Sequence, residues 1–259
     1  MLTRTMANLI VSLKKKKMRD EEKLFTVEGD KLVKEFLMSE LTVDILAGEP
    51  EYLASLPDKI KKKAGEIIPV SYSELKRISS LKTPHDALAV VKMRDVSYSD
   101  KEILDSVSVM LDTIQDPGNL GTIIRAAAWF GIRNIFCSVD CADMYNPKVL
   151  QATMGAILRV NVFYCDLAEK LRGIQGKVRF PVFGAMLEGE SIYSHKLDSK
   201  GIILIGNESR GISPGLFPYI TCRLMIPRFT DAGIGIDSLN AGMAASIVFS
   251  EFARRKKKC

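Results

Sequence analysis

The sequence predicts an α/β protein, with a doubly wound parallel sheet in its C-terminal part, helices on both faces, and a small α/β unit before it. Three observations predict this. Short apolar runs alternate with stretches of helical periodicity, the pattern of strands joined by crossover helices. At 259 residues and 47% apolar content, the chain can fill two cores of ordinary size. A polar stretch from Arg94 to Asp100 reads as a linker, which sets the expected domains at 1–98 and 99–259.

The elements follow in order. Leu24 to Gly29 reads as a short strand, and the next helix carries Leu32, Val33, Phe36 and Leu37 at helical spacing. Val43–Ala47 is a strand, the charged stretch Pro57–Lys63 a helix, and Ile67–Val70 a strand. Ser73 is expected to cap a short helix bearing Leu75 and Ile78, and Leu88–Val91 is the last strand of the unit. Beyond the linker, strands are expected at Val107–Leu111, Asn134–Cys137, Val160–Tyr164, Val182–Ala185, Ile202–Ile205 and Leu224–Ile226. Helices are expected from about Leu120 to Gly131, at Asn146–Met154, and from about Leu239 to Arg254.

Composition excludes several classes. No apolar run reaches the ~18–20 residues of a membrane span. Met1 to Leu13 is apolar before its lysines, the reverse of a secretion signal. The five cysteines (137, 141, 165, 222, 259) lack paired CxxC spacing, so neither a disulfide framework nor a zinc site is expected, and a reducing cytoplasm is. His85 and His195 are the only histidines, and neither lies in a Cys/His/carboxylate cluster in the sequence, so imidazole catalysis is not expected. The net charge of +6 permits a polyanionic partner. Much of it sits in Lys14–Lys17 with Arg19, and in Arg254–Lys258; these runs read either as solvated helix ends or as nucleic-acid contacts.

Three turns carry the candidate chemistry. In the first, running from Leu111 to Ala128, Pro117-Gly118 forces a turn, Asn119 is a good N-cap, and the helix buries Leu120, Ile123, Ile124, Ala127 and Gly131. Arg125 lies off that stripe. It is either a solvated arginine or, beside a helix N-terminus, a place for a phosphate. In the second, the apolar strand Ile202–Ile205 ends in Gly206-Asn207-Glu208-Ser209-Arg210-Gly211, where the glycines permit close approach or positive φ. It is neither a GxGxxG fingerprint nor a P-loop, which disfavours a nucleotide-dependent oxidoreductase. In the third, Leu224-Met225-Ile226-Pro227 leads through an Asp/Gly-rich stretch to Ser238-Leu239-Asn240. A calcium loop is rejected because Gly242 stands where its glutamate belongs. Ser238 can cap the last helix, whose apolar, small-residue character predicts burial in the core or in a subunit contact.

In order and content these three segments resemble the SpoU/TrmH family of RNA ribose 2′-O-methyltransferases, in the SPOUT superfamily, over roughly residues 105–255. Asn119, Gly121 and Arg125 fall on the family's first motif, Gly206, Glu208 and Gly211 on the second, and Ile226, Pro227, Ser238, Leu239 and Asn240 on the third. The stretches Phe25–Val33 and Leu81–Pro84 resemble the substrate-binding domain that often precedes this catalytic domain. Ser209 stands where the family often has glycine, and the interval from Ile226 to Ser238 is a few residues longer than the family's.

The resemblance implies a sheet whose C-terminal part threads a deep trefoil knot, an exception to the usual rule. It implies a pocket for S-adenosylmethionine at Gly206, Gly211, Ile226 and Leu239, and a catalytic set of Asn119, Arg125, Glu208, Ser238 and Asn240. The implied reaction is attack of a ribose 2′-hydroxyl on the methyl sulfonium, which needs no metal. The family assigns deprotonation of that hydroxyl to Arg125. Because arginine stays protonated, the physical expectation is that Arg125 orients phosphate and hydroxyl in line with the methyl, while Asn119, Glu208, Ser238 and Asn240 hold Arg125 and the ribose by hydrogen bonds. A homodimer is implied, with the knot region and the last helix at the interface, and ribosomal RNA is the preferred substrate, transfer RNA the other. The rival reading is a non-catalytic RNA-binding protein that keeps the fold.

Overall fold

A computed structural model describes residues 2–229 and 238–256 of the chain. It divides into two compact units: Met1–Asp95 with Tyr145–Leu158, and Val96–Met144 with Arg159–Cys259.

The first unit runs α1 (Arg4–Ser12), α2 (Lys16–Glu22), β1 (Leu24–Glu28), α3 (Asp30–Met38), β2 (Val43–Gly48), α4 (Pro50–Ser55), α5 (Asp58–Lys61), β3 (Ala64–Pro69), α6 (Tyr72–Ile78) and β4 (Ala87–Lys92). Its four strands lie in the order β1-β4-β2-β3. β4 is antiparallel to both neighbours, and β2 and β3 are parallel. Ile10 and Leu13 from the N-terminal helices pack with Ile45, Ile68, Leu75, Ile78, Leu88 and Val90 into one core. The two helices before Leu24 are not anticipated by the sequence pattern. α1 buries Ala7 and Ile10, three apart on one face, and Leu13 follows at the same spacing.

The first basic run is partly structural. Arg19 is 2% exposed and donates to the Leu13 and Lys14 carbonyls at 2.8 and 3.0 Å. Lys14 donates to the Ser79 carbonyl at 2.6 Å.

The second unit runs α7 (Asp100–Leu104), β5 (Val107–Leu111), α8 (Pro117–Trp129) and β6 (Asn134–Cys137). After α9 (Pro147–Thr153), which belongs to the first unit, it continues with β7 (Asn161–Tyr164), α10 (Leu167–Gln175), β8 (Val182–Ser191), β9 (Gly201–Ile205), β10 (Cys222–Met225) and α11 (Ala241–Lys256). The six strands lie in the order β10-β8-β9-β5-β6-β7, and every neighbouring pair is parallel. The central strands β5 and β9 are buried almost throughout, as strands covered on both faces must be. Because the chain leaves β5 for one edge and later returns to fill the other, the loops after β5 and β9 diverge. That is where open α/β sheets bind ligands.

Three helix caps differ from the sequence reading, and each difference matters locally. α6 is capped by Ser71 in a capping box with Glu74, not by Ser73, which lies inside the first turn. α8 is capped by Asp116, whose Oδ1 accepts from the Asn119 amide at 2.7 Å. Asn119 therefore sits one turn inside the helix with its side chain free for other partners. α11 is capped by Asn240, not Ser238: Asn240 Oδ1 accepts from the Gly242 and Met243 amides at 3.0 and 3.3 Å.

One further expectation changes. Gly131 is not buried; it follows α8 at φ +73°, the left-handed position that ends a helix. In the single chain α11 buries one face and leaves the other open. Ala245, Val248, Phe249 and Phe252 face the core, while Met243 is 58% exposed and Ser250 and Arg254 lie on the surface. α11 packs closely on α8, since a Cβ at Gly242 would stand 2.9 Å from the Thr122 methyl.

Candidate functional site

The second turn is built from the end of β9. Ile205 is the last buried strand residue, and the chain then folds back on itself: Asn207 and Gly211 exchange backbone hydrogen bonds of 3.0 and 2.9 Å, with Gly211 at φ +67°. A Cβ at Gly206 would collide with the backbone of Gly211 and Ile212, so only glycine lets the loop close this tightly. Asn207 Oδ1 accepts from the Ser209 and Arg210 amides, and its Nδ2 donates to the Thr113 carbonyl at 2.9 Å. The Asp112 carboxylate, 4% exposed, accepts from the Ser213 amide at 2.6 Å and from the Thr113 hydroxyl at 3.0 Å. Asp112 and Asn207 thus lash the loop to the end of β5. The sequence reading missed both; their signal was a polar residue directly after, or one place beyond, an apolar strand.

The lashed loop presents Glu208 to the N-termini of two helices. Asn119 Nδ2 donates to Glu208 Oε1, and the Ala241 amide approaches the same oxygen at 3.4 Å. Asn240 Nδ2 donates to Asn119 Oδ1 at 2.8 Å. Each amide orientation follows from its partners: Asn119 gives its NH₂ to the carboxylate and its oxygen to Asn240, while Asn240 turns its own oxygen to the α11 amides. The carboxylate also suits the positive end of α11.

Beside this network lies a cleft of about 870 Å³ at the C-terminal ends of β8, β9 and β10. Gly206, Gly211, Ile226 and Leu239 all line it, together with Glu208 and Ser238. Leu224, Met225, Phe217 and Ile226 give it apolar walls, and Arg210, Arg223, Arg228, Glu188 and Glu208 add charged groups to its lining. Its size and mixed lining suit a nucleoside-sized ligand. The residues between Phe229 and Ser238, in the long interval of the third motif, lie outside the described residues.

Asn119, Glu208 and Asn240 are thus brought together, and Ser238 joins Glu208 in the cleft lining. Arg125 is placed apart: six residues along α8, about 9 Å down its axis, on the exposed face that also carries Thr122 and Trp129. None of Asn119, Glu208, Ser238 or Asn240 bonds to it among the hydrogen bonds of the described residues, because the two asparagines and the glutamate satisfy one another. The expected clamp on Arg125 is therefore absent from the single chain.

Among the described residues, no group of three or more His, Cys, Asp and Glu side chains could hold a metal ion. The sequence reading of His195 is corrected, however. The fold brings it to Cys222 and Glu190, at 3.4 and 2.6 Å, a cluster that residues spread over 32 positions did not reveal.

A parallel sheet with a ligand cleft at its topological switch, tied by an Asn–Glu–Asn network, matches one known class. Residues 106–250, more than half of the chain, match the SpoU rRNA Methylase family, and the chain belongs to that family. Residues 8–89 match the MRM3-like substrate binding domain. A TrmH-family protein from Porphyromonas gingivalis has the same fold, with a TM-score of 0.85 and 36% identity over 98% of this chain and 99% of that one. An AdoMet-bound rRNA methyltransferase from Sinorhizobium meliloti superposes with a TM-score of 0.85 at 25% identity, over 100% of this chain and 97% of that one. The 23S rRNA (guanosine(2553)-2′-O)-methyltransferase RlmP of Bacillus subtilis is 27% identical over 90% of each chain. The mitochondrial rRNA methyltransferase 3 of Xenopus laevis is 32% identical over 61% of this chain, which spans 39% of that relative's length.

Proposed function

We propose that this protein is an S-adenosylmethionine-dependent methyltransferase acting on a ribose 2′-hydroxyl of ribosomal RNA. The observation that carries the proposal is the cleft at the ends of β8–β10, into whose lining the fold gathers all four residues expected to hold the cofactor. The bound cofactor supplies an electrophilic methyl group and leaves as a neutral thioether.

The chain's own residues do the rest. Gly206 and Gly211 keep backbone at the cleft wall, and Leu224, Ile226 and Leu239 exclude water there. The Asn119–Glu208–Asn240 network holds the two helix N-termini at a fixed distance from the cleft. Arg125 orients an RNA phosphate, and through it the attacking hydroxyl, in line with the methyl group.

The reading includes a homodimer. Its support is the exposed apolar surface of α8 and α11, where Trp129 is 84% and Met243 58% exposed, and the position of Arg125 outside its own cleft. In the dimer Arg125 serves the partner's cleft. Residues 1–98 grip RNA and 99–259 perform the transfer, in a knotted sheet. Ribosomal rather than transfer RNA is favoured by the substrate-binding match and by the relatives' substrates. The cytoplasmic location rests on the cysteine pattern alone.

The test mixes the protein, labelled S-adenosylmethionine and total RNA. Methylated ribose resists alkaline cleavage, so label is expected in alkali-stable dinucleotides from ribosomal RNA. Label in free bases overturns the ribose assignment. Cofactor binding with no labelling of any RNA favours the non-catalytic reading.

A further inference from the structure

Two buried charged side chains pin one corner of the first unit. Glu28, the last residue of β1, is 4% exposed. Its carboxylate accepts from the Ser79 hydroxyl and, at 2.9 Å, from the Ser80 amide, just past the end of α6. Ser79 Oγ in turn accepts from the Leu81 amide at 2.9 Å, so the chain leaving α6 winds around a single hydroxyl. On the other side, the buried Arg19 holds the Leu13 and Lys14 carbonyls of the turn between α1 and α2. Lys14 Nζ joins the two halves by donating to the Ser79 carbonyl at 2.6 Å.

A buried carboxylate whose hydrogen-bond partners are a neutral hydroxyl and a neutral amide is costly to desolvate, and an apolar residue of similar shape would end the strand without that cost. What the carboxylate does instead is fix the backbone of residues 79–81. The side chains carried on either flank of that fixed backbone are cations. Lys15 follows Lys14, Lys76 and Arg77 lie in the last turn of α6, and Lys82 follows the wound segment. All four are exposed, and none forms a salt bridge among the described residues. The Glu74 carboxylate is turned back to the Ser71 cap at the opposite end of α6. Cations gathered on a fixed corner repel one another and leave a positive field that a polyanion relieves.

We propose that this corner grips the phosphate backbone of the RNA substrate through Lys15, Lys76, Arg77 and Lys82, with Glu28 as the residue that positions them. The inference rests on the RNA-directed reading above and names the surface of residues 1–98 that carries it out. The fixed backbone suits a folded RNA, whose phosphates hold set positions; a fluid lipid surface would require no such clamp. Glu28 itself is too deeply buried to touch a phosphate, so it acts only through the turn it holds.

The experiment measures binding of the full chain to purified ribosomal RNA by filter retention across salt concentrations, beside the methyl-transfer assay. The triple variant Lys76→Ala, Arg77→Ala, Lys82→Ala should bind at least tenfold more weakly at about 0.15 M salt, and the slope of log affinity on log salt should fall by about two, the loss of three phosphate contacts. Glu28→Gln keeps the side chain's shape but cannot accept from both donors. It should weaken binding at least threefold and lower the slope, although every cation is retained; if it does not fold by circular dichroism, Ser79→Ala takes its place. Cofactor affinity by calorimetry should stay within about twofold in all of these, since the cleft belongs to the other unit. Undiminished RNA binding by the triple variant overturns the surface, and undiminished binding by a folded Glu28→Gln overturns the clamp. Binding of the wild type to phosphatidylserine vesicles that is lost in the triple variant, with RNA binding intact, assigns the corner to a membrane and overturns the proposal. Methyl transfer by a wild type whose triple variant binds RNA equally well leaves the proposed activity standing and removes only this surface. RNA binding through the corner with no methyl transfer does the reverse.

Discussion

Asn240 donates to Asn119 at 2.8 Å across 121 positions of sequence, and that bond ties the N-terminus of α11 to the first turn of α8. Asn119 passes the connection on to Glu208. The three side chains close a chain of donors and acceptors in which each group has one role.

The network is therefore expected to be coupled. Asn119→Ala and Asn240→Ala should each cost about 1 kcal/mol of stability, and the double variant less than their sum, because either loss strands the same partner. Chemical denaturation of the cycle measures this. Methyl transfer should fall at least tenfold in each single variant; full additivity in stability would mean that the bond contributes no coupling.

Arg125→Ala should reduce turnover by roughly a hundredfold or more, the scale of losing an orienting group, while cofactor affinity by calorimetry changes less than about twofold. In mixed dimers, an Arg125→Ala chain paired with a Glu208→Gln chain should recover activity, since one of the two clefts then has an intact Glu208 and an intact Arg125 from the other chain. No recovery places Arg125 in service of its own cleft.

Gly206→Ala tests the tight loop. Its methyl group would strike the Gly211 and Ile212 backbone, so the loop must open. Cofactor affinity is expected to fall at least tenfold while the melting temperature drops only modestly, because the loop is a surface turn. Equal affinity would show that the loop can shift without disturbing the cleft.

Acid sensitivity has a named contributor. Hydrogen bonds from Arg254, followed by those from Arg255, hold the Glu251 carboxyl below its ordinary range. A carboxyl with a lowered folded-state pKa stabilises at pH above its unfolded value, and that contribution disappears as pH falls through the folded-state value. Glu251→Gln should thus be less stable than the wild type at neutral pH, and the two melting temperatures should converge on acidification. A gap that stays constant with pH would remove Glu251 from this role. The same bonds commit the first two arginines of the C-terminal basic run to the protein itself.

Much of the fold was legible because burial writes a period into the chain. Ile202–Ile205 and Val107–Leu111 appear as strands where apolar residues run together, and α8 shows its buried Leu120, Ile123, Ile124 and Ala127 at helical spacing. What failed was local. Ser73, Asn119 and Ser238 are all acceptable caps by residue type, yet Ser71, Asp116 and Asn240 won, because a cap is chosen by which side chain reaches the second or third amide and not by type alone. α4 was missed because six residues leave too few turns to show a stripe, whereas α10 carries Leu167, Leu171 and Ile174 at helical spacing and was legible.

The sequence by itself determined the class: the three glycine- and asparagine-bearing turns, in order, behind apolar strands, name the family and the residues of the cleft. Tertiary structure alone decided the partners. Glu208 bonds to Asn119 and not to Arg125, Asp112 and Asn207 anchor the loop, and Cys222 meets His195 and Glu190. The reason is one of range. Strand and helix periods are recorded within ten residues, whereas hydrogen-bond partners are set by crossover connections that bring together positions 27 to 121 apart.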